Sequence, residues 1–356
     1  MSSITSTVEQ VADRYTSLRV TVSEEGKSQL KAPLKNKGTF DKYQFIVTPA
    51  IGRQYGADLQ LKDLVSADDA SLKDLAQIVS TRGVLYLKNQ DINADEAQVF
   101  MKRFHEAAGA PKSSGLHIHP SINVQGGNAE GRRYQSISSE AQKKAGGSFW
   151  RNDQRRFWAS KGWHSDVSFE KAPADYSMLK LVQLPGIGGD TMFASGEALY
   201  ERLSPSFAGY LETLQAVHAG TQFVEEVQRN GGQLFEGERG SPFNTNKDLT
   251  AIHPVIRINP VTGKRSVFVN REFTKSIVGL TPFESDNILN FLFEALIHNH
   301  DLQVRVRWEQ NDLALWDNRS NYHCASFDFT EPRLGERACA VGEVPFFDPK
   351  YPSAAA

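Results

Sequence analysis

The chain has 356 residues, with 40 Lys and Arg against 42 Asp and Glu and a formal net charge of −2, a balance with no general attraction for nucleic acid or an acidic membrane. Hydrophobic residues at 40% and charged residues at 23% exclude a mainly disordered or collagen-like chain. No apolar run approaches the ~18–20 residues of a bilayer span, and the opening MSSITSTVEQVADRY lacks a signal-peptide pattern, so the expected location is cytoplasmic.

Residues 1–40, rich in Ser, Thr, Lys and Glu, read as a loosely ordered N-terminal segment with one short helix near Val8–Leu18. Residues 41–350 read as a single domain and 351–356 as a tail. Leu72, Leu75, Ile78 and Val79 recur at helical spacing between Asp68 and Ser80, and GVLYL at 83–87 reads as a buried strand. A second amphipathic helix is expected at Ala94–Ala107, with Val99, Phe100 and Phe104 inward. The polar, Gly-rich, basic stretch 121–156 is long for a loop and reads as a lid-like insertion, its Arg151–Arg156 cluster solvated.

The rest is strand-like: Leu116–His119, Tyr176–Leu184, Leu214–His218, His253–Ile258, Ser266–Asn270, Gln303–Trp308, Leu313–Trp316 and Arg337–Val341. One helix interrupts it, signalled by Thr281, Pro282 and Glu284 as a capped start and by Ile288, Leu289, Leu292, Phe293 and Leu296 on one face. No internal repeat is visible. Short strands with Gly/Pro turns and a few helices give a mainly β fold with flanking helices, and a jelly roll or barrel rather than alternating βαβ units. Cys324 and Cys339 are too few for a disulfide framework and suit free thiols.

Of nine histidines, His164 stands out in His164-Ser165-Asp166. On an extended strand residues i and i+2 share a face, so this pair can converge on one metal; a surface His beside an Asp satisfies the same spacing. The C-terminal third adds Leu313–Arg319, His323, Arg333 and Arg337. An H-x-D, a distant His and an Arg about ten residues beyond resemble the iron(II)/2-oxoglutarate-dependent dioxygenases. The resemblance is to the taurine dioxygenase family, and most closely to its fungal sulfonate-dioxygenase-like branch. The matching phrases are LHIHP at 116–120, WHSDVSF at 163–169, GGDTMFASG at 188–196, HPV at 253–255, NPVTGK at 259–264, FVNREFTKSI at 268–277, QVRVRW at 303–308 and NDLALWDNRSNYH at 311–323.

The resemblance implies a double-stranded β-helix (jelly roll, cupin-like) core. It implies iron(II) held by His164, Asp166 and His323, with 2-oxoglutarate and dioxygen as cosubstrates and succinate and carbon dioxide as products. Two His and one carboxylate are the site type of non-haem iron(II) and leave three positions open. Arg333 would hold the distal carboxylate of 2-oxoglutarate with help from Thr191, and Arg337 would face a substrate anion or share that task. His119 and the backbone N–H of Val167 match contacts to the substrate's sulfonate. Ile122 and Ser160 stand where the bacterial enzyme has a substrate-contacting Tyr and Asn, a change expected to alter what the pocket accepts.

The expected substrate is a small anionic or zwitterionic molecule, an alkylsulfonate or related acid; an amino acid or secondary-metabolite intermediate is the runner-up. The family also allows a homo-oligomer, and neither a nucleic-acid nor a membrane partner is expected. A fold-retaining binding protein would not need the whole ligand and arginine set, and a zinc hydrolase would have no use for Arg333. Among the other histidines, His298 and His300 suit a helix C-terminus, His218 and His253 suit a core or edge, and His117 is at best a neighbour of the pocket. Trp163, Trp316 and Phe273 read first as core packing.

Overall fold

A computed structural model of the chain describes residues 24–121, 133–144 and 159–352. The helix expected near Val8–Leu18, Ile122 and the Arg151–Arg156 cluster lie outside the described residues. In chain order come strands β1 (Gln44–Ile46) and β2 (Arg53–Tyr55), helix α1 (Asp69–Arg82), β3 (Val84–Leu87), α2 (Ala94–Ala107), β4 (Tyr134–Ser138) and α3 (Ser139–Lys144). Then follow β5 (Ala174–Gln183), β6 (Thr191–Ser195), α4 (Gly196–Glu201), α5 (Pro205–Leu211), β7 (Gln215–Ala219), α6 (Thr221–Arg229) and β8 (Thr250–Pro254). The last are β9 (Ile256–Ile258), β10 (Arg265–Val267), β11 (Thr274–Ile277), α7 (Pro282–His298), β12 (Gln303–Val306), β13 (Leu313–Asp317), β14 (Asn321–Ala325) and β15 (Leu334–Val341).

The main sheet has seven strands in the order β1-β2-β3-β13-β5-β15-β4, and a three-stranded sheet runs β12-β6-β14. Period-2 alternation gives the main sheet two apolar faces. Leu85, Leu87, Leu313 and Leu315 turn outward and pack under α1 and α2 with Leu72, Leu75, Phe100 and Phe104. Val84, Tyr86, Ala314 and Trp316 turn inward and share a cluster with Phe193, Val304 and Val306 of the smaller sheet. The helices start where the sequence caps them: Asp68 accepts from the Ser71 N–H, while Asn93 with Glu96 and Thr281 with Glu284 form reciprocal capping boxes. No helix among the described residues is long and apolar enough to cross a membrane.

Several expectations change. Val99 is 48% exposed, because α2 buries the stripe of Ala97, Phe100, Met101 and Phe104 and leaves position 99 on its outer side. Leu116–His119 is not a strand: Leu116 makes a single bridge to Ala340 before the chain turns at Pro120. The strand expected at His253–Ile258 is two, since β8 ends at Pro254 and pairs with β7 whereas β9 pairs with β10. The β-rich half holds α4, α5 and α6 besides α7, and the sequence does not show β6 and β14, which are buried on both faces yet mix polar with apolar residues and so present neither an alternation nor an apolar run.

Two segments expected to be loosely held are not so throughout. Within the insertion, β4 is an edge strand of the main sheet, paired from Leu334↔Ser138 to Ala338↔Tyr134. Within the N-terminal segment, Gln29 N–H donates to Gly109 O and Leu34 N–H to Val261 O, and Asp74 accepts from Lys37 and Thr39 N–H. Phe104, fully buried, stacks on Phe100 at 5.4 Å and meets Tyr176 edge-on at 4.7 Å, coupling α2 to β5. Phe104→Ala is expected to cost about 3–5 kcal/mol of stability, read as a lowered urea midpoint with unchanged slope.

Candidate active site

His323 lies on β14 and His164 on the segment beside it, and the two backbones bond reciprocally: His164 N–H to His323 O at 3.0 Å and His323 N–H to His164 O at 2.8 Å. Asp166, two residues on, turns its Oδ1 to 3.7 Å from His164 Nε2 and 3.8 Å from His323 Nε2. Ligand atoms of these three residues all lie within 4.8 Å of one another, and they form the one such group of His, Cys, Asp and Glu among the described residues. His164 Nδ1 is bonded to Gly162 O at 2.7 Å, which places its proton there and leaves Nε2 as the electron-pair donor a metal requires. The donor set therefore fits a divalent metal of the non-haem iron type.

Burial opposes ionisation of Asp166, yet the Arg337 charge, followed by the two histidines, holds its carboxyl well below the usual range. Burial and the neighbouring His164 push His323 down to about 3, whereas His164 is raised. Burial opposes the His164 charge, but the Asp166 carboxylate and the Gly162 carbonyl outweigh it, so a metal at Nε2 would have to displace a proton there. A neutral imidazole and an ionised carboxylate are the forms that ligate metals.

These residues line a cavity of about 520 Å³, together with His119, Val167, Phe169, Thr191, Phe223, Phe273, Trp316, Arg333 and Arg337. Arg333 enters from the position just before β15. Its Nε donates to Gly189 O at 3.1 Å, while Nη2 is buried without a partner among the described residues. Burial pushes its pKa down to about 10, so an incoming anion would relieve the desolvation of the charge. The Gly188-Gly189 turn makes this approach possible: both glycines have positive φ, 80° and 75°, and a Cβ on Gly189 would sit 3.2 Å from Arg333 Cδ. Thr191 Oγ1 accepts from Trp308 Nε1 at 3.1 Å; because the indole is a donor only, the Thr191 hydroxyl keeps its own hydrogen to donate.

Arg337 is already engaged: Nη1 donates to Asp166 Oδ1 at 3.0 Å and Nη2 to Gln135 Oε1 at 2.7 Å. His119 is buried, meets Phe223 edge-on at 4.7 Å, and its Nδ1 accepts from Ser121 N–H at 3.3 Å, which leaves its proton on Nε2. Burial, then the Arg337 charge, keeps it neutral. Val167 is a β-branched residue at φ 48°, in the left-handed region that L side chains rarely adopt. Ser160 sits in the turn Ala159–Gly162 and is not among the cavity-lining residues. His117 pairs with Glu170 at 3.3 Å, away from the cavity wall. His218 and His253 are buried and bonded to Ser168, and His298 pairs with Glu294. Trp163 is core, whereas Trp316 and Phe273 border the cavity; Cys324 and Cys339 are both free and buried. Sequence reasoning passed over Ser177, Asn318 and Gln135, which hold Asp166 and Arg337.

The family model described as "Taurine catabolism dioxygenase TauD, TfdA family" matches residues 46–339. The chain belongs to this family. It is 38% identical over 337 residues to the alpha-ketoglutarate-dependent dioxygenase btcD of Neocamarosporium betae, covering 90% of this chain and 96% of that protein. It is 34% identical over 314 residues to the alpha-ketoglutarate-dependent sulfonate dioxygenase of Saccharomyces cerevisiae, covering 86% of this chain and 68% of that one. Among solved structures, a taurine dioxygenase from Burkholderia xenovorans aligns with a TM-score of 0.65 at 25% identity, covering 87% of this chain and 92% of that chain. As a TauD/TfdA-family protein the chain is an alpha-ketoglutarate-dependent dioxygenase, which uses iron(II), 2-oxoglutarate and dioxygen and acts on a small molecule. The two-faced sheet and its helices accord with that family's fold.

Proposed function

We propose that the main sheet and the β12-β6-β14 sheet form the double-stranded β-helix core of an oxygenase in which His164, Asp166 and His323 hold iron(II). In this reading Arg333 and Thr191 grip the far carboxylate of 2-oxoglutarate. The observation that carries it is Arg333 Nη2, buried on the wall of the cavity that holds the His-Asp-His group and without a partner among the described residues. A planar guanidinium suits a carboxylate, and Thr191 has a hydrogen left to donate to it. Iron with 2-oxoglutarate supplies oxidation of a substrate C–H bond coupled to release of succinate and carbon dioxide. The chain itself orients the reacting groups and keeps water out with Phe169, Phe193, Phe273 and Trp316.

For the substrate, the sulfonate dioxygenase relative and the donors on the wall favour a small anion, an alkylsulfonate or related acid. His119 offers a neutral Nε2–H, and Arg337 adds positive charge while bound to Asp166. The volume, within the ~300–1,000 Å³ of small-molecule pockets, and the aromatic wall of Phe169, Phe223 and Phe273 also favour a bulkier acid, such as an amino acid or secondary-metabolite intermediate. A panel of alkylsulfonates, amino acids and aromatic acids, scored by substrate-dependent succinate release and product mass, tests this. An acid is expected to give the highest rate, and His119→Ala to raise its KM while leaving that for 2-oxoglutarate unchanged. Oxidation of uncharged molecules alone, at rates indifferent to His119→Ala, would remove the anion reading and leave the iron and 2-oxoglutarate assignments standing.

A further inference from the structure

Behind Asp166 lies a chain of hydrogen bonds whose direction is fixed from its far end. Trp316 Nε1 and the Asp166 backbone N–H both donate to Asn318 Oδ1, each at 3.0 Å. Both groups are donors only, so the Asn318 amide has one permitted orientation. Its Nδ2 then donates to Ser177 Oγ at 2.8 Å. Ser177 therefore accepts from Asn318 and has one hydrogen left, with Asp166 Oδ2 at 2.7 Å and Cys339 Sγ at 3.2 Å in reach. The charged carboxylate is the nearer and stronger acceptor. Ser177 and Asn318 are buried and lie off the cavity wall, so cavity water does not reach the Ser177 hydrogen; on the cavity side, Asp166 Oδ1 accepts from Arg337 Nη1 at 3.0 Å.

We propose that Ser177, oriented by Asn318, is a positioning residue that restricts Asp166 to one oxygen at the metal. The inference rests on the ligand assignment proposed above. With Oδ2 tied to Ser177, Oδ1 is the oxygen turned to the two histidines, and the protein would offer a bound metal three donor atoms. A carboxylate that rotated to offer both oxygens would fill a fourth, leaving too few for a chelating 2-oxo acid and dioxygen together. Ser177 thus acts on 2-oxoglutarate binding more than on retention of the metal.

The experiment is calorimetric titration of 2-oxoglutarate into Mn(II)-loaded protein, beside titration of Mn(II) into the metal-free protein, with thermal unfolding of each variant. Ser177→Ala removes the hydrogen. Asn318→Asp keeps the acceptor for Trp316 and Asp166 N–H but presents a second oxygen to Ser177, drawing its hydrogen away from Asp166. Both are expected to weaken 2-oxoglutarate about 10-fold or more while Mn(II) affinity changes by less than about threefold, and Ser177→Thr is expected to retain both affinities. Unchanged 2-oxoglutarate affinity in Ser177→Ala, or parallel loss of Mn(II) and 2-oxoglutarate in all three variants, would overturn the proposal. If the unsubstituted protein bound no Mn(II), the ligand assignment itself would fall, and this inference with it.

Discussion

His164→Ala is expected to abolish iron-dependent succinate formation and tight Mn(II) binding while the protein still folds. Two protein donors are too few to hold a labile divalent ion, and the backbone bonds that join the His164 segment to β14 do not involve the lost ring. Asp166→Ala is expected to do the same and also to destabilise the fold by about 3–5 kcal/mol, because the Arg337 guanidinium loses its buried partner. Calorimetric Mn(II) titration and urea unfolding of the two variants separate these effects. Full turnover in either variant would remove the ligand assignment.

Arg333→Ala is expected to raise the 2-oxoglutarate KM by roughly 30-fold or more, since truncating one partner of a buried charge-assisted pair costs about 2–5 kcal/mol. Stability should suffer little, because the guanidinium's Nε bond to Gly189 O is the one side-chain hydrogen bond it makes among the described residues. Arg333→Lys should recover only part of the affinity, as an ammonium lacks the planar fork. Steady-state rates against 2-oxoglutarate at saturating iron measure the effect. A larger rise in Arg337→Ala, with Mn(II) affinity intact, would exchange the roles of the two arginines.

The sequence showed the His-Asp-His set and Arg333 plainly, because their chemistry resides in residue type and in phrases such as WHSDVSF and NDLALWDNRSNYH. It also showed α1, α2 and α7, whose caps are local and chemically explicit. What it hid depends on contacts between distant segments. Ser177 is one small polar residue in a strand that also carries Asp175, Tyr176 and Lys180, and only the register Trp316↔Ser177 and Cys339↔Ser177 brings it to Asp166. Asn318 carries a weak signal, a polar residue directly after a buried strand inside the phrase NDLALWDNRSNYH, but nothing local in the sequence names its partner. Gln135 lay inside a stretch whose Gly content and charge masked the strand Tyr134–Ser138, and a two-sided burial pattern as short as β6 gives no periodicity to read.

The reciprocal main-chain bonds between His164 and His323 bear on how the protein assembles. Two of the three proposed ligand positions are joined by peptide groups, so a side-chain replacement that leaves the backbone in place leaves the pairing intact. The same bonds join parts of the chain that are far apart in sequence, and such contacts form only after the entropy of closing a long loop has been met. Partly folded chains with this pairing unmade have no complete three-ligand pocket, so an ion that needs all three bears on the finished fold alone. On the proposed ligand assignment, metal capture would report that folding has ended, and metal in excess would add its binding free energy to the native side of the equilibrium.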